Sequence, residues 1–492
     1  MEKSVARAVG INQARKGATV QRRIVGLDLG VATDHTAVVV SESGVELARR
    51  RAQPTRASLE QLREVALSGA AEGTVVEVVI EPTGPAWLPV AVFFSAAGDR
   101  VYRVSSQRAY DLRRYFRRHH KTNRIDATTL ARMAIVDGDA LRPVELARGD
   151  AAALDREVRV TERLTEEMAT RKVRIRDLAR QLMPTSGRAL SKQLCRADLE
   201  VLRAYGNPKD LLAAGVDVIE ALITDVSRGM HGQAKAEAFL AAAGEAVALY
   251  GDTDAVAFEA LAADLATEIT LLDAIEAARA PHERRREELY GRVDPEGLAR
   301  SVPGVGEKGG PLAVAVVGRA GRFPNADAFC AYTGLVPRAS ETGETDHKGQ
   351  AMTKAGNPKL RRMLYRAADT ARKEDPQLAR IYWTQMVERG ANHTKALAVV
   401  AAHLARRLWR TLERNSPYVV RDVDGRAVDR AQAKQIVAER WTVDEETRRR
   451  RRSKKKAEKA PQQVLKGQVE NGARSASARR PSPTDIVDRE AS

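Results

Sequence analysis

The stretch that decides the fold is RIVGLDLGVATDHTAVVV, residues 23–40, in which apolar and β-branched residues surround the carboxylate of Asp28. Runs of this composition are typical of buried β-strands. A buried carboxylate without a partner is costly, so an acid at this position needs a reason. Gly30 follows two residues later, and glycine lets a backbone approach a ligand closely. Asp28 is therefore predicted to belong to a functional site at the end of a strand.

A second apolar run, residues 74–84, also ends in an acid, Glu81. Two carboxylates on neighbouring strands repel each other, and a divalent cation such as Mg²⁺ removes that repulsion. The segment 119–134 adds Asn123 and Asp126, which share one face of a helix because they lie three residues apart. A strand acid, a second strand acid and a helix acid in this order are the layout of an RNase-H-like metal nuclease. The predicted magnesium ligands are Asp28, Glu81, Asn123 and Asp126.

The charge balance favours a polyanionic partner. The 492 residues include 82 lysines and arginines against 65 acids, a net charge of +17, and an excess of this size is typical of proteins that bind nucleic acid. Residues 112–124 concentrate cations around Tyr115 and Phe116, which predicts a phosphate-binding surface leading to the acids. The cations assigned to it are Arg113, Arg114, Arg117, Arg118, Lys121 and Arg124.

Several classes of protein are excluded. Two distant cysteines, Cys195 and Cys330, provide neither a disulfide framework nor a zinc site, and the histidines show no metal-ligand spacing. No run approaches the roughly 18 apolar residues of a membrane span, and no signal peptide is evident. We therefore expect a soluble, cytoplasmic protein that associates with the nucleoid.

The chain divides into regions of different character. Strands alternate with helices up to about residue 148, which predicts an α/β domain, and the regions that follow are mainly helical. Heptad-like apolar spacing in 151–182 and 258–275 predicts two long helices, packed against each other or against a second copy of the protein. The predicted regions are a disordered basic arm (1–20), an α/β domain (21–148), a helical coiled-coil spacer (149–297), a further domain (298–413) and a basic, largely disordered C-terminal region (414–492).

The segment GLDLGVATDHT also fits the first phosphate loop of actin-like and sugar-kinase ATPases. That alternative requires a second phosphate loop near the middle of the chain, where the pattern predicts helices instead. The tail sequence RRRRRSKKK, residues 448–456, is predicted to be disordered and to contact phosphates.

The motifs GLDLG, IEPTG and KTNRIDA, with the later SVPGVGEKGGPLAVAVVG and TKAGNPKLRRML, resemble transposases of the insertion-sequence-110 family. The resemblance runs from residue 24 to about residue 445. It implies an RNase-H-like domain of the junction-resolvase type with a DEDD acid set, a coiled-coil spacer, and a helical transposase domain with a nucleophilic serine. It also implies a tetrameric recombinase whose donor and target DNA are chosen by an RNA encoded in the element.

Carried over by position, Asp28 matches the first acid of the family, Glu81 the second and Asp126 the last. Asn123 stands where the family usually has an aspartate. An amide oxygen can still coordinate Mg²⁺, but the site has one negative charge fewer, so we expect weaker metal binding. An inactive copy of the element is the alternative.

The second half of the implied site lies in residues 334–362, which are rich in hydroxyls, glycines and cations. A hydroxyl there can attack a phosphodiester. Ser340 and Thr342 both remain candidates, because family members often have serine where Thr342 stands, and the alternative is that both only form turns. The candidate cations are Lys354, Lys359, Arg361 and Arg362.

The segment SVPGVGEKGG resembles a helix–hairpin–helix. Gly304 and Gly306 permit a tight hairpin whose amides can face a nucleic-acid phosphate, and a plain turn between two helices is the alternative.

These observations predict a DNA transposase or recombinase. It would bind DNA, a guide RNA and further copies of itself as a dimer or tetramer, and cut DNA through a covalent intermediate with Mg²⁺. The alternatives are a hydrolytic RNase-H-like nuclease or junction resolvase, and a non-catalytic nucleic-acid-binding copy.

Overall fold

The computed structural model describes residues 21–82, 84–115, 123–138, 141–251, 254–337 and 352–451, and the backbone alone of Arg124, Glu341–Thr342 and Thr345–Asp346. The chain forms two units, Met1–Ala147 and Arg148–Ser492. The predicted arm (1–20) and the end of the tail (452–492) lie outside the described residues.

The first unit is built on a five-stranded sheet with the order β3-β2-β1-β4-β5. β1 pairs antiparallel with β2 and parallel with β4, β2 pairs antiparallel with β3, and β4 pairs parallel with β5. The predicted alternation of strands and helices is confirmed, because the apolar runs form the central strands. The strands are β1 (Arg22–Asp28), β2 (His35–Val40), β3 (Glu46–Ala52), β4 (Val75–Ile80) and β5 (Arg100–Arg103).

Helices cover both faces of this sheet, and side-chain alternation along the strands decides which residues each face buries. On one face, Val25 and Leu27 of β1 pack with Leu62 and Phe94. On the other face, Ile24 packs beneath a second pair of helices. The helices are α1 (Arg56–Leu67) and α2 (Trp87–Ala96) on the first face, and α3 (Ser106–Tyr115) and α4 (Asn123–Val136) on the second.

The second unit begins with a long helix, α5 (Gly149–Leu182), that packs against another, α9 (Phe258–Val293). The two helices are antiparallel, because Asp150 near the start of α5 pairs with Arg292 near the end of α9. The apolar residues of both predicted seams are largely buried. The two long helices were predicted to pack against each other or against a second copy of the protein, and in the structure they pack against each other within one chain. The helices between them are α6 (Arg196–Ala204), α7 (Pro208–Ser227) and α8 (Gln233–Tyr250).

An ion pair lies within this antiparallel contact. The Glu268 carboxylate of α9 is largely buried and accepts hydrogen bonds of 2.9 Å from Nη1 of Arg171 at both oxygens. Arg174 adds a third bond of 3.3 Å. Because a buried charge that loses its partner is strongly destabilising, these contacts set the register of the two helices.

The remaining helices pack around a core centred on helix α15 (His393–Arg414), in which Val400, Leu404 and Leu408 are fully buried. Helix α11 (Gly306–Val317) packs against α5 and α9, so the regions predicted as 149–297 and 298–413 lie in one unit. The helices are α10 (Leu298–Ser301), α11 (Gly306–Val317), α12 (Ala326–Thr333), α13 (Pro358–Glu374), α14 (Pro376–Trp383), α15 (His393–Arg414) and α16 (Arg430–Arg440).

The structure differs from the sequence-based expectation for residues 414–451, which were predicted to be largely disordered. Val443 is buried in the core that surrounds α15. The Tyr418 hydroxyl donates a hydrogen bond of 2.6 Å to the fully buried carboxylate of Asp375. The start of the basic tail is helical as far as Arg451. A few buried apolar and aromatic residues therefore fold a region whose overall composition is polar.

Within the part of the chain that the structure describes, no helix is both long and apolar enough to cross a membrane.

Candidate active site

Two of the predicted acids lie at the same edge of the sheet. The last paired residues of the parallel strands β1 and β4 are Leu27 and Ile80, and Asp28 and Glu81 are the next residue of each strand. Val25 and Leu27 face the α1 side, so side-chain alternation directs Asp28 toward α4. The parallel register therefore brings the two acids to one place.

A cavity of about 650 Å³ opens at this edge. Asp28, Glu81, Asn123 and Asp126 all line it, so the structure brings the four predicted ligands together. Sequence reasoning missed several further polar groups of the wall, because Ser106, Gln107 and Tyr110 of α3 carry no motif. The polar residues lining the cavity are Asp28, Thr33, Glu81, Ser106, Gln107, Tyr110, Arg113, Asn123 and Asp126.

Close contact between α4 and β1 places Asp126 beside the strand acids. A Cβ atom added at Gly26 would lie 1.9 Å from the carbonyl oxygen of Ala127 and 2.5 Å from the amide nitrogen of Ala131. Only glycine in β1 therefore lets the helix approach this closely. Because Asp126 lies in the first turn of α4, this contact also sets the depth of the Asp126 carboxylate in the cavity.

Arg113 is an ion-pair partner of Asp126. Both side chains are mostly buried, with 18% and 15% of their surface exposed. The Arg113 guanidinium was predicted to contact nucleic acid, and in the structure it points into the acid cavity. Because it neutralises one carboxylate, any cation that binds Asp126 has to compete with it.

Of the other basic residues predicted to contact nucleic acid in this region, the structure describes the side chain of Arg114. Arg114 is exposed, with its guanidinium 5.8 Å from the ring centre of Tyr110. Arg117, Arg118, Lys121 and the side chain of Arg124 lie outside the described residues, so their phosphate contacts stay predictions.

The donor set of the cavity suits a magnesium ion in its chemistry, because carboxylate and amide oxygens are the ligands that Mg²⁺ prefers. The carboxylates lie too far apart for a closed coordination sphere. Among the described residues, no three His, Cys, Asp or Glu side chains lie close enough together to hold an ion. Metal binding would require these carboxylates to draw together and Arg113 to release Asp126.

His35 supports the loop that follows Asp28, and the sequence analysis missed it. Its imidazole is fully buried, and Nδ1 accepts a hydrogen bond of 3.2 Å from the amide of Gly30. Burial lowers the pKa of the His35 imidazole, against the opposing effect of the Asp34 carboxylate. The neutral ring therefore holds the loop in place. In the sequence, the one feature that could have indicated this role is a polar residue at the first position of β2.

We expect acid to weaken this support. The unfolded chain protonates His35 near pH 6.5 whereas the folded protein resists it, so the contribution is complete above about pH 6.5 and is lost as pH falls below that value. The variant His35→Asn keeps an acceptor for Gly30 without titrating. Melting temperatures measured from pH 7 to pH 5 should fall more steeply for the wild type than for this variant, and equal slopes would contradict this role for His35.

Backbone hydrogen bonds in the second unit join the two ends of the loop that carries the candidate hydroxyls. The amide of Thr353 donates to the Val336 carbonyl at 2.9 Å, and the amide of Asn357 donates to the Tyr332 carbonyl at 2.9 Å. Ser340 lies outside the described residues. Thr342 belongs to a short strand, β6 (Glu341–Thr342), that pairs with β7 (Thr345–Asp346), and its side chain is not described.

Two of the four cations predicted for this region are engaged within the protein. Nη1 of Arg361 donates to the Lys354 carbonyl at 2.9 Å, and this hydrogen bond attaches the end of the loop to α13. Arg362 forms an ion pair of 2.8 Å with Glu166 of α5. Lys354 is exposed and Lys359 is half-buried, and the phosphate contacts predicted for both stay predictions.

The predicted hairpin glycines have different surroundings. Gly304 and Gly306 both have positive φ values, +79° and +61°, as a tight turn between α10 and α11 requires. A Cβ at Gly304 would lie 2.2 Å from the carbonyl oxygen of Ala367 in α13, whereas nothing lies within 4 Å at Gly306. Gly304 therefore packs closely against α13, and the phosphate contact predicted for the amides of this turn stays a prediction.

Comparison with known proteins identifies the chain. Residues 25–184 match the family model DEDD_Tnp_IS110, described as a transposase, and residues 297–383 match the transposase model of the IS116/IS110/IS902 family. The "Insertion element IS110 uncharacterized 43.6 kDa protein" of Streptomyces coelicolor is 28% identical over 67% of this chain and 79% of its own length. The "Insertion element IS116 uncharacterized 44.8 kDa protein" of Streptomyces clavuligerus is 27% identical over 79% of this chain and 94% of its own length. The acid cavity and the hydroxyl loop lie within the two matched regions, and the chain belongs to the IS110 family of transposases.

Proposed function

We propose that this transposase cuts and rejoins DNA through a covalent bond between a DNA phosphate and a serine-type hydroxyl, with Mg²⁺ at the acid cavity. The observation that carries the proposal is the shared cavity of Asp28, Glu81 and Asp126. The sheet order β3-β2-β1-β4-β5, with three antiparallel strands and two parallel ones, supports an RNase-H-like domain of the junction-resolvase type.

The chemistry of the loop follows from its hydroxyls. The oxygen of Ser340 or Thr342 forms a bond to phosphorus, the bond from phosphorus to one deoxyribose oxygen breaks, and the hydroxyl proton passes to that leaving oxygen. A second DNA end then reverses the step with its own sugar hydroxyl. Because the phosphoester link is conserved at each stage, rejoining needs no ATP.

The cavity residues would hold and orient the ion. Asp28, Glu81 and Asp126 supply negative oxygens and Asn123 a neutral one. When bound, Mg²⁺ offsets charge on a phosphate and lowers the pKa of a hydroxyl or water. Arg113, whose present partner is Asp126, would be able to donate to a phosphate oxygen if that carboxylate held the ion. The RNA guide and the oligomer form part of the same proposal on the strength of the family.

Trapping of a protein–DNA adduct tests this proposal. Incubation with labelled element-end DNA and Mg²⁺, followed by denaturing electrophoresis, should reveal a covalent species. We expect its loss in Ser340→Ala or Thr342→Ala, at least a hundredfold decrease in Asp28→Asn, and an increase in Asn123→Asp, which restores the missing charge. Loss of the adduct in only one hydroxyl variant identifies the nucleophile.

The same experiment separates the alternatives. DNA cleavage without an adduct would indicate a hydrolytic nuclease or junction resolvase. The neutral amide of Asn123 in the cavity favours a second candidate, a copy that binds nucleic acid without cutting it. DNA binding with neither cleavage nor adduct, in both the wild type and Asn123→Asp, would support that candidate and overturn the transposition chemistry.

A further inference from the structure

A second cavity, of about 880 Å³, lies in the second unit at the start of α15. Three of its lining residues, Arg448, Arg449 and Arg451, belong to the basic run 448–456 that was predicted to contact phosphates, whereas the others carry no motif. We call it the arginine cavity, and the residues that define it are Arg372, Tyr382, His393, Arg448, Arg449 and Arg451.

Two of its guanidinium groups are held in place by the protein. Arg372 lies over the ring of Tyr382, 4.3 Å from its centre, and pairs with Asp369 at 2.7 Å. Nε of Arg451 donates to the Met386 carbonyl at 3.3 Å. Arg448 and Arg449 are exposed on the same helical segment. Four arginines and one acid, Glu445, are among the residues that line the cavity, so the cavity favours an anion even though Asp369 pairs with Arg372.

The first turn of α15 adds backbone donors to this wall. The Asn392 side chain caps the helix by accepting from the amide of Lys395. The amides of His393 and Thr394 belong to the first turn, where no carbonyl within a helix is available as acceptor. Both residues line the cavity. Amides and the helix dipole favour an anion at this end of a helix, so two independent sources of positive potential converge.

We propose that the arginine cavity binds the phosphodiester backbone of a nucleic-acid strand. The proposal rests on the proposed function, to which it adds a contact site formed by residues other than those of the acid cavity. Phosphate oxygens match the charge and the donors of the wall, and arginine pairs with them through two hydrogen bonds. Because Arg372 covers one face of Tyr382, recognition relies on phosphate rather than on stacking of a base.

The helix end provides a sharp test. Thr394 is exposed at the second position of α15, where a glutamate stabilises a helix through its dipole but repels a phosphate. The variant Thr394→Glu should therefore fold normally and bind nucleic acid roughly tenfold more weakly, with the slope of log affinity against log salt reduced by about one. Ala431→Glu is the matched control, because Ala431 is exposed at the second position of α16, behind a similar cap from Asp429.

Binding of the full chain is measured by fluorescence anisotropy with duplex DNA, single-stranded DNA and RNA of the same sequence. A tenfold loss for Thr394→Glu with any of these probes, without a matching loss for Ala431→Glu, supports the proposal and identifies the strand that the cavity holds. Unchanged binding, or equal losses in both variants, would overturn it while leaving the transposition chemistry intact. A wild type that binds none of the probes would overturn nucleic-acid binding as a whole.

Discussion

Replacement of Gly26 by alanine is expected to destabilise the first unit by about 3 kcal/mol and to abolish strand exchange. The added Cβ would lie 1.9 Å from the carbonyl oxygen of Ala127 and 2.5 Å from the amide nitrogen of Ala131. Both are backbone atoms, so no side chain can rotate away. Relief requires α4 to move off β1, and the helix carries Asp126 with it.

Hydrogen exchange of the full chain measures the loss of local stability in β1 and α4 directly. Amides of β1 and α4 should exchange about a hundredfold faster in Gly26→Ala, because each 1.4 kcal/mol of local stability corresponds to a factor of ten. Peptides of the second unit should keep their protection. Gly138→Ala is the control, since the nearest atom to a Cβ there is 4.0 Å away. Protection of α4 equal to that of the wild type would show that Gly26 does not set the helix position.

Gly304→Ala is the second large effect that we expect, again about 3 kcal/mol, now in the second unit. Two penalties combine at this residue. A left-handed backbone with φ of +79° disfavours alanine, and the new Cβ would lie 2.2 Å from the carbonyl oxygen of Ala367. The turn before α11 would therefore move away from α13, which packs against it.

Gly306→Ala separates the two penalties. Gly306 shares the positive φ, +61°, but has no atom within 4 Å of a Cβ position, so only about 1 kcal/mol of backbone strain applies there. Thermal melting and hydrogen exchange of α11 and α13 should show the larger loss for Gly304→Ala. If both variants lose the same stability, backbone strain alone explains the effect, and the contact with Ala367 contributes nothing.

Local pattern was enough to predict the α/β character of the first unit and the buried seams of α5 and α9. Strand and helix periodicities are properties of neighbouring residues, so the sequence displays them directly. Asp28 and Glu81 were found for a related reason, because an acid that ends an apolar run conflicts with its surroundings. The hydroxyls of the second unit came from family resemblance alone, and the structure describes neither side chain.

Residues that act through distant partners gave no such signal. Arg361 and Arg362 look alike in sequence, yet one ties down a loop and the other pairs with Glu166 of α5. His35 has no motif and acts through one hydrogen bond to Gly30. Residues 414–492 were predicted to be largely disordered because five consecutive arginines repel one another, whereas a few buried contacts such as that of Val443 decide the fold of the part up to residue 451.

By itself, the sequence determined which segments form strands and helices, that the protein is basic, and which acids end the central strands. Sequence also placed Asn123 and Asp126 with those acids, and in the structure all four line one cavity. Only the tertiary structure decided that Arg113 neutralises Asp126 and that four arginines meet at the start of α15. The physical reason is that secondary structure follows from interactions over a few residues. The position of one element against another depends on contacts between distant residues, such as the single missing Cβ at Gly26.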